Sequence, residues 1–248
     1  MKPSAAGPRP GSSRAGAGTP VPQLPLALRY PPDQRLDTFV GGSAGAAAQL
    51  QALAAHPGGD WVYLAGPAAV GKTHLLLGTC AATEAAGRRA AYLPLAAAVG
   101  RLRDALDALE GHDLLALDGL EAIAGHRDDE VALFDAHNRA RASGSCVLYA
   151  ARGNPDELAL LLPDLRSRLS QCSRVHLQQL DDEGRREVLR QRARRRGWVL
   201  EAAALEWLLK RVERDLAGLT ALLDQLDRAS LAAQRRVTVP FLRQTLGG

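Results

Sequence analysis

The chain has 248 residues, 46% of them hydrophobic and 23% charged, with a formal net charge of +4. That length can bury a real core, as one domain or as a domain with a small companion, and no apolar run approaches the ~20 residues of a membrane span. Three widely spaced cysteines, Cys80, Cys146 and Cys172, exclude a disulfide framework and a metal-ligand spacing, so reduced, buried thiols of a cytosolic protein are expected.

Residues 1–22 are Pro, Gly, Ser and Ala with few large apolar groups, which predicts a disordered leader. Its Lys2, Arg9 and Arg14 are followed by no apolar stretch of the kind a secretory signal needs. QLPLAL (23–28) follows, an apolar hexapeptide between that leader and Pro31-Pro32, so 23–34 reads as a peptide and linker. By itself it reads first as a linker whose leucines cover the domain's own surface, with a docking peptide as the lesser reading.

From residue 35 the pattern becomes regular. WVYLAG (61–66) predicts a buried strand, and residues 72–86 a helix stopped by Gly87. A strand over 90–95, a helix over 101–110, a strand over 113–120 and a helix over 129–142 come next. Strands over 145–151 and 173–180 complete the set. Strands alternating with helices predict an α/β domain over 35–180 with a parallel sheet covered on both faces. After residue 180 three amphipathic helices follow, with RVTV (236–239) as the only strand signal, which predicts an all-helical subdomain over 181–248.

GPAAVGKT (66–73) fits G-x-x-x-x-G-K-[ST] in full, after a strand and at a helix start. In such a loop the backbone of Gly66, Pro67, Ala68, Ala69, Val70 and Gly71, donating through its N–H groups (Pro67 has none), and the helix N-terminus cradle phosphates. Lys72 would reach the β- and γ-phosphates, and Thr73 would offer its hydroxyl to Mg²⁺. Only three lysines occur in the chain, and one stands at the required position. In DLLALDGL (113–120), Asp118 ends an apolar strand, where a carboxylate helps to hold Mg²⁺; without the preceding loop it would equally fit an Asp-Gly turn. The next residue is Gly119, where a hydrolytic P-loop ATPase of the AAA+ class usually places a second acid. Glu121 is two residues further along and is expected to point elsewhere. The pattern is that of a site that binds nucleotide and turns it over poorly.

In order along the chain, RLDTFVGG (35–42), KTHLL (72–76), LLALDGLEAIAG (114–125), LFDAHNRARASG (133–144) and LPDLRSRLS (162–170) resemble the AAA+ domain of the bacterial replication initiator DnaA. The chain stops after its helical lid, without the helix-turn-helix domain that ends DnaA. TALLDQLDRASLAAQRRVTVPFL (220–242) resembles the Hda group of DnaA-related regulatory inactivators, and the resemblance runs from about residue 23 to the end. It implies an AAA+ P-loop fold with a helical lid, bound ADP or ATP with Mg²⁺, and a cytoplasmic, replisome-associated protein. It further implies that Gln23, Leu24, Leu26 and Leu28 dock on the DNA polymerase III sliding clamp (its β subunit), with DNA reached only through the clamp. The implied partner is DnaA, whose bound ATP is hydrolysed with the help of an arginine finger, Arg168, acting in trans. A homo-oligomer is also compatible with such a chain, whereas no membrane partner is expected. Arg166 would support the finger or bind phosphate; outside the motif, Arg168 would read as a surface arginine paired with an acid such as Asp164.

Two departures from DnaA weaken self-hydrolysis: the lid arginine position falls at Ala217, and YAARGNP (149–155) lacks an acidic sensor near Arg152. The alternative function is an independent AAA+ ATPase of the DnaA-like helicase-loading or remodelling type. RREVLRQRARRRG (185–197) predicts a solvated lid face carrying Arg185, Arg192 and Arg196, over a core side of Val188, Leu189 and Ala193, with weak DNA phosphate contact as the other reading. Trp198 and Trp207 are expected in the lid core, and the six histidines in packing or surface roles.

Overall fold

The computed structural model describes residues 34–41, 44–56, 60–198, 200–211, 240 and 242–243. The leader, QLPLAL with Gln23, Leu24, Leu26 and Leu28, Ala217, the third lid helix and RVTV lie outside the described residues.

Five parallel strands form one sheet in the order β2-β3-β4-β1-β5: β1 Val62–Ala65, β2 Ala90–Pro94, β3 Leu114–Asp118, β4 Cys146–Ala151 and β5 Ser173–His176. The register pairs Val62 with Leu148 and Ser173, and Leu114 with Ala90 and Cys146. Strands covered on both faces read as unbroken apolar runs, and every residue of β1 and β4 is buried. Each leucine removed from water there contributes roughly 1.5–3 kcal/mol.

Seven helices are described: α1 Ala44–Ala55, α2 Lys72–Ala85, α3 Leu102–Asp107, α4 Arg127–Ser143, α5 Pro163–Ser170, α6 Asp182–Arg195 and α7 Ala202–Arg211. The chain crosses from β1 to the far edge through α2, then returns strand by strand through α3 and α4 and goes beyond β1 through α5. Right-handed crossovers therefore put α2 on one face and α3, α4 and α5 on the other. In agreement, α1 packs on α2, and α4 packs on both α3 and α5. The connections leaving β1 and β4 run in opposite directions, so the crevice at their C-terminal ends is where a ligand fits in such a sheet.

Helix α1 was not legible from periodicity. Its sequence is mostly alanine, and among its described side chains only Ala46, Leu50, Leu53 and Ala54 are buried, too small a stripe to stand out. The strand expected over 113–120 ends at Asp118 because Gly119 turns left-handed at φ 81°. The strand expected over 173–180 ends at His176, and after a last bond from Leu177 N–H to Ala65 O the chain leaves for the helical region.

The helical region has its own core, with Val188, Leu189, Ala204, Leu205, Leu208 and Leu242 buried together and Val40, Leu180, Trp198 and Trp207 packed on it half-buried. Asp181 caps α6, its carboxylate accepting the Gly184 N–H at 2.7 Å. All three cysteines are free and buried, and among the described residues no helix is long and apolar enough to cross a membrane.

Candidate functional site

Residues 66–71 leave the end of β1 and enter α2 at Lys72. The loop depends on glycine at both ends. A Cβ on Gly66 would stand 2.4 Å from the backbone O of Leu177, and one on Gly71 (φ 100°) 2.6 Å from Cε2 of Phe39. Ala69 adopts φ 61°, a left-handed conformation that costs an alanine some strain. Phe39 in turn stacks edge-on with His74, whose Nε2 bonds the Arg35 carbonyl at 2.8 Å. Through Phe39 and Arg35, this stretch thus leans on the loop from outside, a role its motif did not disclose.

The Lys72 side chain curls back and donates to Gly66 O and Pro67 O, both at 2.6 Å. It is buried, and desolvation lowers its pKa, against the opposing charges of Glu121 and Asp118. Its ammonium therefore sits inside the loop, surrounded by acceptors.

Thr73 Oγ1 donates to Asp118 Oδ2 at 2.6 Å, and the Tyr92 hydroxyl donates to the same oxygen at 3.0 Å. Burial, followed by the Asp118 charge, pushes the Tyr92 phenol well above its usual range. Tyr92 belongs to this site by geometry alone, since nothing in AAYLPL marks it. The convergence of one hydroxyl and one carboxylate suits Mg²⁺, which takes few protein ligands and completes its shell with phosphate and water. No cluster of three or more His, Cys, Asp or Glu able to hold a metal exists among the described residues.

Glu121 does not point elsewhere. Its carboxylate pairs with Arg152 Nε at 3.2 Å and accepts the Arg152 N–H at 3.2 Å. Its charge is also the largest charge effect on Lys72, ahead of Asp118. Glu121 sits in the one-turn helix Leu120–Ala122 after Gly119, a turn that spacing along an extended strand does not anticipate.

Helix α5 joins the C-terminal end of β4 to the start of β5, so it runs against the strands. Arg168 is in its last turn, exposed, and makes no side-chain hydrogen bond or ion pair with any described residue; the Asp164 partner is not used. Arg166 is half-buried, and its Nη2 donates to Leu160 O at 2.5 Å.

The arginine run is not simply solvated. Arg185 is buried and pairs with Asp182 at 3.2 Å; Arg186 pairs with Glu206 at 2.8 Å, and Arg190 with Glu183 at 3.0 Å. Val188, Leu189 and Ala193 are buried as expected. Of the histidines, His137 is buried, with Nδ1 3.0 Å from the Tyr149 hydroxyl and its ring 4.4 Å from Trp61. Burial, helped by Arg141 and Arg168, pushes its pKa down to about 4.

A five-stranded parallel sheet in this order, with a P-loop after β1 and a helical region after β5, is an AAA+ P-loop fold like that of DnaA. The fold is similar to domain III of the Thermotoga maritima replication initiation protein DnaA, with a TM-score of 0.74 and 21% identity over 88% of this chain and 97% of that one. AMPPCP-bound DnaA from Aquifex aeolicus matches at a TM-score of 0.67 and 19% identity, over 79% of this chain and 65% of that longer one. The Thermotoga maritima RuvB Holliday junction branch migration motor matches at 0.62 and 20%, over 86% and 71%. Residues 182–246 match the family described as Hda, lid domain. The lid match and the DnaA-like fold are together consistent with Hda.

Proposed function

We propose that this chain is a negative regulator of replication initiation that holds an adenine nucleotide for its own conformation and directs its chemistry outward, at ATP bound to DnaA. Gly66, Pro67, Ala68, Ala69, Val70 and Gly71 form the phosphate cradle, Lys72 exchanges its two loop carbonyls for phosphate oxygens, and Thr73 with Asp118 holds Mg²⁺. When bound, that ion supplies positive charge beside the phosphates. Gln23, Leu24, Leu26 and Leu28 dock on the sliding clamp as an extended peptide with a hydrogen-bonding head and three apolar plugs. The AMPPCP in the related DnaA structure supports an adenine nucleotide as the ligand.

The observation that carries the reading is the contrast between Gly119 and Arg168. At the chain's own site the position after Asp118 has no side chain, while Arg168 is exposed and makes no ion pair among the described residues, in the last turn of a helix running away from that site. A guanidinium so placed can enter a neighbour's nucleotide site and stabilise charge on its transferring phosphoryl group, an effect worth ~10³–10⁵ in rate for such fingers. The placement of Glu121 near Lys72 favours the alternative, an independent ATPase.

Phosphate release from ATP-loaded DnaA with DNA-loaded clamp separates the two. The regulator accelerates it and loses that effect when Leu24, Leu26 and Leu28 become alanine. An independent ATPase releases phosphate on its own, whether or not DnaA is present.

A further inference from the structure

The segment before α5 holds a carboxylate that neither the P-loop nor the finger motif accounts for. Glu130, in the first turn of α4, is completely buried. A carboxylate in such a place is costly unless its oxygens are satisfied. Three backbone amides satisfy it: Gly125 N–H at 2.8 Å and Leu161 N–H at 3.0 Å on Oε1, and Leu162 N–H at 2.7 Å on Oε2. Leu162 is the N-cap of α5, and α5 has no side-chain cap of its own. Glu130 therefore places negative charge at the positive end of the finger helix, where the helix dipole favours it. Arg166 grips the same segment from the other side through Leu160 O. The Leu161 side chain is 52% exposed, so its packing does not explain why this stretch is held.

We infer that Glu130 is the positioning residue of the finger helix, fixing the start of α5, and through it the direction of Arg168, against the segment that follows β3. The inference rests on the reading of Arg168 as a finger in trans. Only a carboxylate serves here: two acceptor oxygens meet three donors, whereas glutamine would turn an NH₂ group toward an amide N–H.

The test is Glu130→Gln in the full chain, alongside Arg168→Ala and the double variant, in the assay of DnaA-bound ATP hydrolysis with DNA-loaded clamp. Glu130→Gln is expected to lower stimulation by roughly tenfold or more while the chain's own ADP affinity is unchanged. In the Arg168→Ala background it should add no further loss, since both act through one group. Amide hydrogen exchange supplies a readout that needs no variant: Leu161 and Leu162 should be strongly protected in the wild-type chain although they lie outside any strand. Free exchange at these amides overturns the inference. So does full stimulation by Glu130→Gln where Arg168→Ala has lost it. If Arg168→Ala itself stimulates normally, the finger reading falls, and exchange at Leu161 and Leu162 still decides whether Glu130 anchors the helix.

Discussion

Around Lys72 the charged groups have hydrogen-bonding partners: the ammonium has two loop carbonyls, Asp118 has the Thr73 and Tyr92 hydroxyls, and Glu121 has Arg152. On α5, Arg168 closes on nothing among the described residues. An unpaired exposed arginine costs a folded chain nothing, because water solvates it, whereas a buried ammonium without acceptors would be expensive. The first region therefore satisfies its polar groups from within, whereas the second leaves a guanidinium open to a partner of the kind proposed above.

The sharpest way to break the first region is Gly66→Ala. Its Cβ would meet the Leu177 carbonyl, a backbone atom that cannot swing aside. We expect a loss of about 3 kcal/mol or more in urea unfolding and no measurable ADP binding by calorimetry.

His137, buried under the sheet, sets up a pH test of the core, because burial, helped by Arg141 and Arg168, holds its pKa down to about 4. Its folded pKa is depressed below 6.5, so between those values the unfolded chain binds the additional proton. Its contribution is complete above pH 6.5, is lost as pH falls toward about 4, and amounts to about 3 kcal/mol in total. Unfolding measured at pH 7 and pH 4.5 should show a smaller difference for His137→Phe than for wild type.

Gly119→Glu puts an acid at the position directly after Asp118. At φ 81° a side chain costs about 1–2 kcal/mol even though open space surrounds the position. We expect a lowered Tm and little gain in the chain's own phosphate release; a large gain would show that its site lacks only that acid. The smallest effect belongs to Arg152→Gln, which breaks an exposed pair and should shift stability by less than about 1 kcal/mol. Because it frees Glu121 beside Lys72, its own phosphate release measures how far that carboxylate can substitute for the missing acid.

Lys72, Thr73 and Asp118 could be read from the chain because their chemistry requires fixed spacing, and the strands because burial on both faces makes them continuous apolar runs. Tyr92, Phe39 and Glu130 could not. Each acts through a contact between segments 26 or more residues apart, as in the Tyr92–Asp118 and Glu130–Leu162 bonds, and no local pattern records which tyrosine or glutamate will be buried. Glu121 was misplaced for a related reason, a one-turn helix hidden behind a glycine. The paired state of Arg185 and Arg186 also depends on tertiary partners, so the arginine run looked more solvated than it is.

The most direct test of the account uses DnaA carrying labelled ATP, DNA-loaded clamp, and this chain preloaded with ADP so that only hydrolysis on DnaA is counted. The account predicts that wild type accelerates hydrolysis and that Arg168→Ala loses about 10³-fold of that acceleration, with its ADP affinity and Tm unchanged. Undiminished acceleration by Arg168→Ala would contradict it.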